Sequence, residues 1–140
     1  MRIAIGCDHA GVELKRVLMK SVLANHIVVD FGTDSSEPVD YPDVAKRVAQ
    51  RVASGEFERG ILICGTGIGM AMASGKTKGI RAATCTEPFS AEMSRRHNDA
   101  NILCLGGRVT GIGMATKIAE VWLSTAFEAG RHVGRVRKID

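Results

Sequence analysis

The sequence predicts a single three-layer α/β/α sandwich, Rossmann-like, built on a five-stranded parallel sheet. Three observations carry this expectation. Short, nearly continuous apolar runs alternate with longer amphipathic ones along the whole chain, which is the mark of repeated strand–helix units. The short runs lack the period-two pattern of a half-wet strand, so strands covered on both faces are expected. With 140 residues, 45% of them apolar and 24% charged, the chain fits one domain with one real core.

Strands are predicted at Arg2–Cys7, His26–Phe31, Gly60–Cys64, Ile80–Cys85 and Asn101–Leu105. Helices are predicted over Gly11–Asn25, Asp43–Ser54, Ile68–Lys76, Pro88–Asn98 and Ile112–Phe127. In the first helix Val12, Leu14, Val17, Leu18, Val22 and Leu23 recur at helical spacing, with Glu13, Lys15, Arg16 and Lys20 between them. Pro42 and Pro88 stand at helix starts, where a missing amide hydrogen costs little. Crossovers should be right-handed. No repeat, linker or low-complexity segment interrupts the pattern. After Phe127 it breaks into a basic tail, GRHVGRVRKID, for which disorder is the ordinary expectation.

Composition excludes several function classes. The net charge of +4 is modest, and aromatics make up only 4%, so the stacking residues of a single-strand binder are missing and no nucleic-acid partner is expected. A mild positive balance also suits a small anionic substrate. The longest uncharged stretch, Gly60 to Gly75, is broken by glycines and falls short of the ~20 apolar residues of a membrane span. The start, MRIAIGC, is too short an apolar run for a secretory signal. Cys7, Cys64, Cys85 and Cys104 are widely spaced at or near strand ends, with no CxxC. Reduced thiols in a cytoplasmic protein are therefore expected, without a disulfide scaffold or zinc knuckle, and no cluster has the spacing of metal ligands.

Ligands of parallel α/β sheets bind beyond the carboxyl ends of the strands. Asp8 and His9 follow the first strand, Cys64-Gly-Thr-Gly-Ile-Gly69 the third, Cys85-Thr-Glu-Pro88 the fourth and Gly106-Gly107-Arg108 the fifth. Two tempting motifs fail there. Gly69-MAMAS-Gly75-Lys76-Thr77 has five residues between its glycines where a P-loop has four, and its lysine ends a helix instead of opening one. Gly65-x-Gly67-x-Gly69 is GxGxG after the third strand, not GxGxxG after the first. Its physics survives, because a glycine-rich loop entering a helix presents unpaired amides to an anion or a developing oxyanion.

Cys64 stands directly before those amides. Thiols at helix N-termini ionise more readily than the free side chain, and a thiolate there serves as nucleophile or base. An arbitrary strand-end cysteine is more often a small buried hydrophobe. Thr66 suits a helix cap or a ligand contact. Asp8 alone reads as a cap and His9 as a surface residue. His97-Asn98-Asp99 ends a helix before the last strand. Arg131 and Arg135, four apart, share a face on any helical turn; paired guanidiniums suit phosphate, while a solvated tail is the usual reading.

Taken together, GCDHAG, DFGT, DYPD, ILICGTGIGM, GIRAA, SRRHNDANIL, GGRV and GRHVGRV resemble the ribose-5-phosphate isomerase B family, which also includes galactose-6-phosphate isomerase subunits. The resemblance covers essentially the whole chain, in order. It implies a cofactor-free aldose–ketose isomerase of a small sugar phosphate. Cys64 would be the base that moves a proton between the carbons beside the carbonyl, and the amides of Gly65, Gly67, Ile68 and Gly69 would hold the enediolate oxygen. Some members carry a carboxylate base at about Met70; methionine takes no proton, so this chain fits the cysteine branch. Thr66 and His97 would open the sugar ring. Asp8 would bind sugar hydroxyls, Asn98 the reacting oxygens, and His9, Arg131 and Arg135 the phosphate, with Arg108 nearby. The tail, residues 128–140, would then be ordered and part of the site.

The resemblance also implies a homodimer or homotetramer with sites between subunits. His97 points to the pentose branch, hence ribose 5-phosphate. Galactose 6-phosphate, allose 6-phosphate and a tetrose phosphate are the alternatives in class, and a non-catalytic sugar-phosphate sensor the alternative outside it. Many relatives carry asparagine where this chain has Ser74.

Overall fold

The computed structural model describes residues 1–140. Strands β1 (Arg2–Cys7), β2 (Ile27–Asp30), β3 (Arg59–Cys64), β4 (Ala82–Thr84) and β5 (Ile102–Gly106) form one sheet in the order β2-β1-β3-β5-β4, parallel throughout. Helices α1 (Val12–Lys20), α2 (Tyr41–Ala53), α3 (Ile68–Ser74), α4 (Pro88–Arg96) and α5 (Ile112–Ser124) connect and follow the strands, and a short α6 (His132–Val136) closes the chain.

Strand side chains alternate between two cores. Ile3, Ile5, Ile61, Ile63, Leu103 and Leu105 meet Leu14 and Leu18 of α1 and Ile118 and Trp122 of α5. Ala4, Leu62, Cys64, Ile102 and Cys104 face Val44 and Val48 of α2 and Met70 of α3. Period-two alternation thus puts Cys64 on the α2–α3 face, aimed at the start of α3. The expected double coverage holds for β1, β3 and β5. At the edges it does not: Ile27 and Val29 of β2 are exposed, and β4 is half-buried along its length. Cys104 lies mid-strand, not at a strand end.

Helix ends depart from expectation, each for a physical reason. α1 stops at Lys20, where the Leu23 amide closes a wide turn onto the Leu18 carbonyl at 3.0 Å. α5 stops at Ser124 because the Arg59 guanidinium takes the carbonyls of Trp122 and Leu123 at 2.7 and 2.9 Å and that of Thr125 at 3.2 Å. α4 stops at Arg96, and Asp99 then turns the chain through a left-handed conformation, φ 47°. α3 stops at Ser74, whose buried hydroxyl donates to the Met70 carbonyl at 2.7 Å. The basic tail is ordered: His132 and Val136 are buried.

Lys15 is fully buried, and a lone buried ammonium would cost several kcal/mol. It reaches Asp30 at 2.6 Å, Asp34 at 2.9 Å and the Thr33 carbonyl at 2.6 Å. Burial alone would lower its pKa, yet these partners raise it. The lysine pins the loop that leads from β2 toward α2.

Candidate active site

The chain leaves β1 toward β2 on one side and β3 on the other, so the carboxyl ends of β1 and β3 flank a crevice. Asp8 sits at one lip, 6% exposed; its amide donates to the Ile63 carbonyl at 3.1 Å and its Oδ1 accepts from the Ala10 amide at 2.9 Å. One carboxylate oxygen therefore caps the turn at residues 9–11, and the residue still lines the crevice. His9 is half-buried, with Nδ1 accepting from the Val39 amide at 3.4 Å.

At the other lip, β3 runs into the glycine loop. Gly67 takes φ 80°, a left-handed turn that a side chain resists, and its amide donates to Cys64 Sγ at 3.1 Å. Thr66 Oγ1 accepts from the Ile68 amide at 3.2 Å, a side-chain turn at the entry to α3 that leaves Thr66 exposed. The amides of Gly65 and Gly69 meet no acceptor within the chain. Asp8, Tyr41, Cys64, Gly65, Thr66, Ile68, Gly69 and Met72 line a cleft of about 410 Å³. The Arg108 side chain lies beside Gly65: a Cβ there would stand 3.6 Å from its Cδ and from Nη1. Cys64 alone among the cysteines opens to this cleft. Burial pushes the Cys7 and Cys85 thiols up to about 11, and that of fully buried Cys104 higher still.

His97, Asn98, Arg131 and Arg135 lie elsewhere. His97 follows the end of α4 and stacks on His132, with ring centroids 4.4 Å apart and planes 14° from parallel. Its Nε2 is 3.9 Å from Glu128. Asn98 lines a separate cavity of about 340 Å³ with Ile80, Arg81 and Ala100. Arg131 and Arg135 are exposed beside and within α6. All four belong to the amino ends of β4 and β5, whereas Cys64 pairs with Gly106 at the carboxyl end. Ile102 to Gly106 spans four residue steps, about 13 Å at strand rise, so one chain does not bring the two groups together.

Three residues near these groups escaped sequence reasoning. Tyr41 packs so closely on Gly69 that a Cβ there would lie 2.6 Å from its Cε2; its place beside Pro42 gave no spacing signal. His132 and Glu128 were hidden in a segment without periodicity. His97, Glu128 and His132 each offer a ligand atom within 4.8 Å of the others. The near-parallel rings set their lone pairs side by side instead of converging on one tetrahedral centre, and Glu128 already accepts from Arg96 Nε at 3.0 Å. The arrangement suits a stacked pair better than a chelate. Burial, with His97 and Arg131 beside it, favours neutral His132.

A family model described as Ribose/Galactose Isomerase matches residues 3–139. The ribose-5-phosphate isomerase B of Escherichia coli (strain K12) is 49% identical over 99% of this chain and 93% of its own. The D-erythrulose-4-phosphate isomerase of Pectobacterium atrosepticum is 40% identical over 99% and 93%. Among solved structures, ribose-5-phosphate isomerase B of Clostridium thermocellum superposes with a TM-score of 0.97 at 52% identity, covering 99% of this chain and 95% of that one.

Proposed function

Because the chain belongs to the ribose/galactose isomerase family, we propose that it interconverts ribose 5-phosphate and ribulose 5-phosphate with Cys64 as the base, in a site shared by two copies of the chain. The observation that carries the chemistry is the Cys64 thiol at the mouth of the amide loop, in a cleft that also holds Asp8 and Thr66. Isomerisation removes the proton from C2 of the open-chain aldose and returns it to C1, while the hydroxyl proton passes from the C2 oxygen to the C1 oxygen. The thiolate of Cys64 takes and returns the carbon-bound proton. Negative charge on the enediolate oxygen falls to the free amides of Gly65 and Gly69. Asp8 holds sugar hydroxyls.

The remaining roles need groups that this half of the site lacks. His97, with Thr66, opens the furanose ring; Asn98 holds the reacting oxygens; Arg131 and Arg135, with His9 and Arg108, hold the phosphate. A second copy that brings its α4 end and tail to this cleft completes the set. Exposed apolar side chains on α3 (Ile68, Met72), at the starts of α4 and α5 (Phe89, Met114) and in the loop before α5 (Val109) support such a face.

The test is turnover of ribose 5-phosphate beside allose 6-phosphate, galactose 6-phosphate and D-erythrulose 4-phosphate, at equal enzyme concentration and with chelator present. The pentose should be preferred. Preference for a hexose, or for the tetrose favoured by the Pectobacterium relative, would keep Cys64 and move the substrate. Binding of all four without turnover would leave a sensor.

A further inference from the structure

We propose that Arg81 is a positioning residue: its guanidinium clasps the end of α4 to the C-terminal segment, so that His97 and the phosphate arginines are presented as one unit. This rests on the reading that those groups serve a site.

Arg81 stands just before β4 with its side chain only 14% exposed. Its Nη1 donates to both oxygens of Asp140 at 2.9 and 2.8 Å. Its Nη2 reaches Asp99 Oδ2 at 3.2 Å, and its Nε donates to the Asp99 carbonyl at 3.0 Å. Asp99 is the left-handed residue that ends the His97-Asn98 turn. Its other oxygen accepts from Arg95 Nη1 at 2.9 Å. The Arg81 backbone is held as well, since its amide donates to Asn101 Oδ1 at 2.8 Å. One planar fork thus touches the turn that carries His97 and Asn98 and, with its remaining arm, the segment that carries Arg131 and Arg135. A lysine, with one point charge, cannot span both.

No other side chain bonds both Asp99 and Asp140. The tail otherwise meets the α4 end through the His97–His132 stack, the Arg96–Glu128 pair and the Glu128 amide on the Arg96 carbonyl at 3.0 Å. All of those lie at the start of the tail; Asp140 anchors its far side, past Arg135. With that anchor released, α6 is held by the burial of His132 and Val136 alone, the Arg135 side chain gains freedom that phosphate must then remove, and the cost appears in affinity. Loosening Asp99 instead moves His97, and that cost appears in ring opening.

The experiment measures KM, kcat, inhibition by inorganic phosphate and melting temperature for Asp140→Asn, Asp140→Glu, Asp99→Asn and Arg135→Ala in the full chain. Asp140→Asn should weaken ribose 5-phosphate and inorganic phosphate together by about fivefold, the ordering cost of one mobile arginine side chain, with kcat little changed. Asp140→Glu should recover most of it. Asp99→Asn should lower kcat more on cyclic substrate than on an open-chain analogue. A lower melting temperature with unchanged KM and phosphate inhibition in Asp140→Asn would make the clasp structural only and overturn the proposal. Arg135→Ala separates the two layers. If it weakens phosphate and Asp140→Asn does not, the clasp alone fails; if Arg135→Ala itself leaves phosphate binding unchanged, the tail's assignment to phosphate fails with it.

Discussion

A thiol is a base or an inert hydrophobe according to its surroundings, and the four cysteines here divide on that ground. Cys7 donates to the Thr33 carbonyl at 3.4 Å and is held as a thiol by burial, as are Cys85 and Cys104. Cys64 accepts from an amide and borders a cleft. Iodoacetamide near neutral pH should therefore modify Cys64 first, with activity lost in step with labelling and with substrate slowing both. Peptide mapping of partly inactivated protein checks this; early label on Cys7 or Cys85 with activity retained would break the division. Cys64 was legible in the sequence because a strand end and a glycine loop meet at it. Tyr41 was not, because its contact with Gly69 joins residues 28 positions apart and neither needs the other to form its own element.

At the scale of elements, the sheet was legible because β1, β3 and β5 are covered on both faces and so carry unbroken apolar runs. The edge strands shrank where their expected ends enter turns, as at Ile80, whose amide donates to the Thr77 carbonyl at 3.1 Å. Helix ends were less legible still, and that of α5 is set from afar: Arg59 lies 63 residues from the first carbonyl it binds. In the proposed reaction the enediolate oxygen rests on the start of α3. Gly69→Ala would drive a Cβ against the Tyr41 ring, and overpacking of this kind typically costs about 1–3 kcal/mol. Tyr41 is partly exposed and can swing away, so the cost should fall at the low end of that range while kcat drops more than stability alone explains. Denaturant unfolding and kcat, measured for Gly69→Ala with and without Tyr41→Ala, check the argument. The second change should restore stability to that of Tyr41→Ala alone; a purely additive result would mean that the two residues do not meet.

For the whole molecule, the parallel sheet itself separates the two sets of groups. Every strand points the same way, so residues that follow strands and residues that follow helices collect at opposite ends. Cys64 and Thr66 belong to the first kind, His97 and Asn98 to the second, and no rotamer change bridges a strand's length. The +4 balance reflects the same division, with Arg131, Arg135, Arg137 and Lys138 gathered in the tail, away from the Cys64 cleft. A site that needs both sets must borrow, and a twofold dimer offers each copy the other's opposite end. Subunit mixing follows from this. Cys64→Ala and His97→Asn homo-oligomers should each be nearly inactive on cyclic substrate. Unfolded together in equal amounts and refolded, half of the dimers would be mixed. Each mixed dimer has one site with both defects and one with neither, so about a quarter of wild-type activity should return. If both groups served a site within one chain, mixing would restore nothing, since every site would keep one defect. The control is a Cys64→Ala, His97→Asn double variant refolded with wild type. Its mixed dimers carry one defect in each site, so it should depress activity below simple dilution when sites are shared and match dilution when they are not.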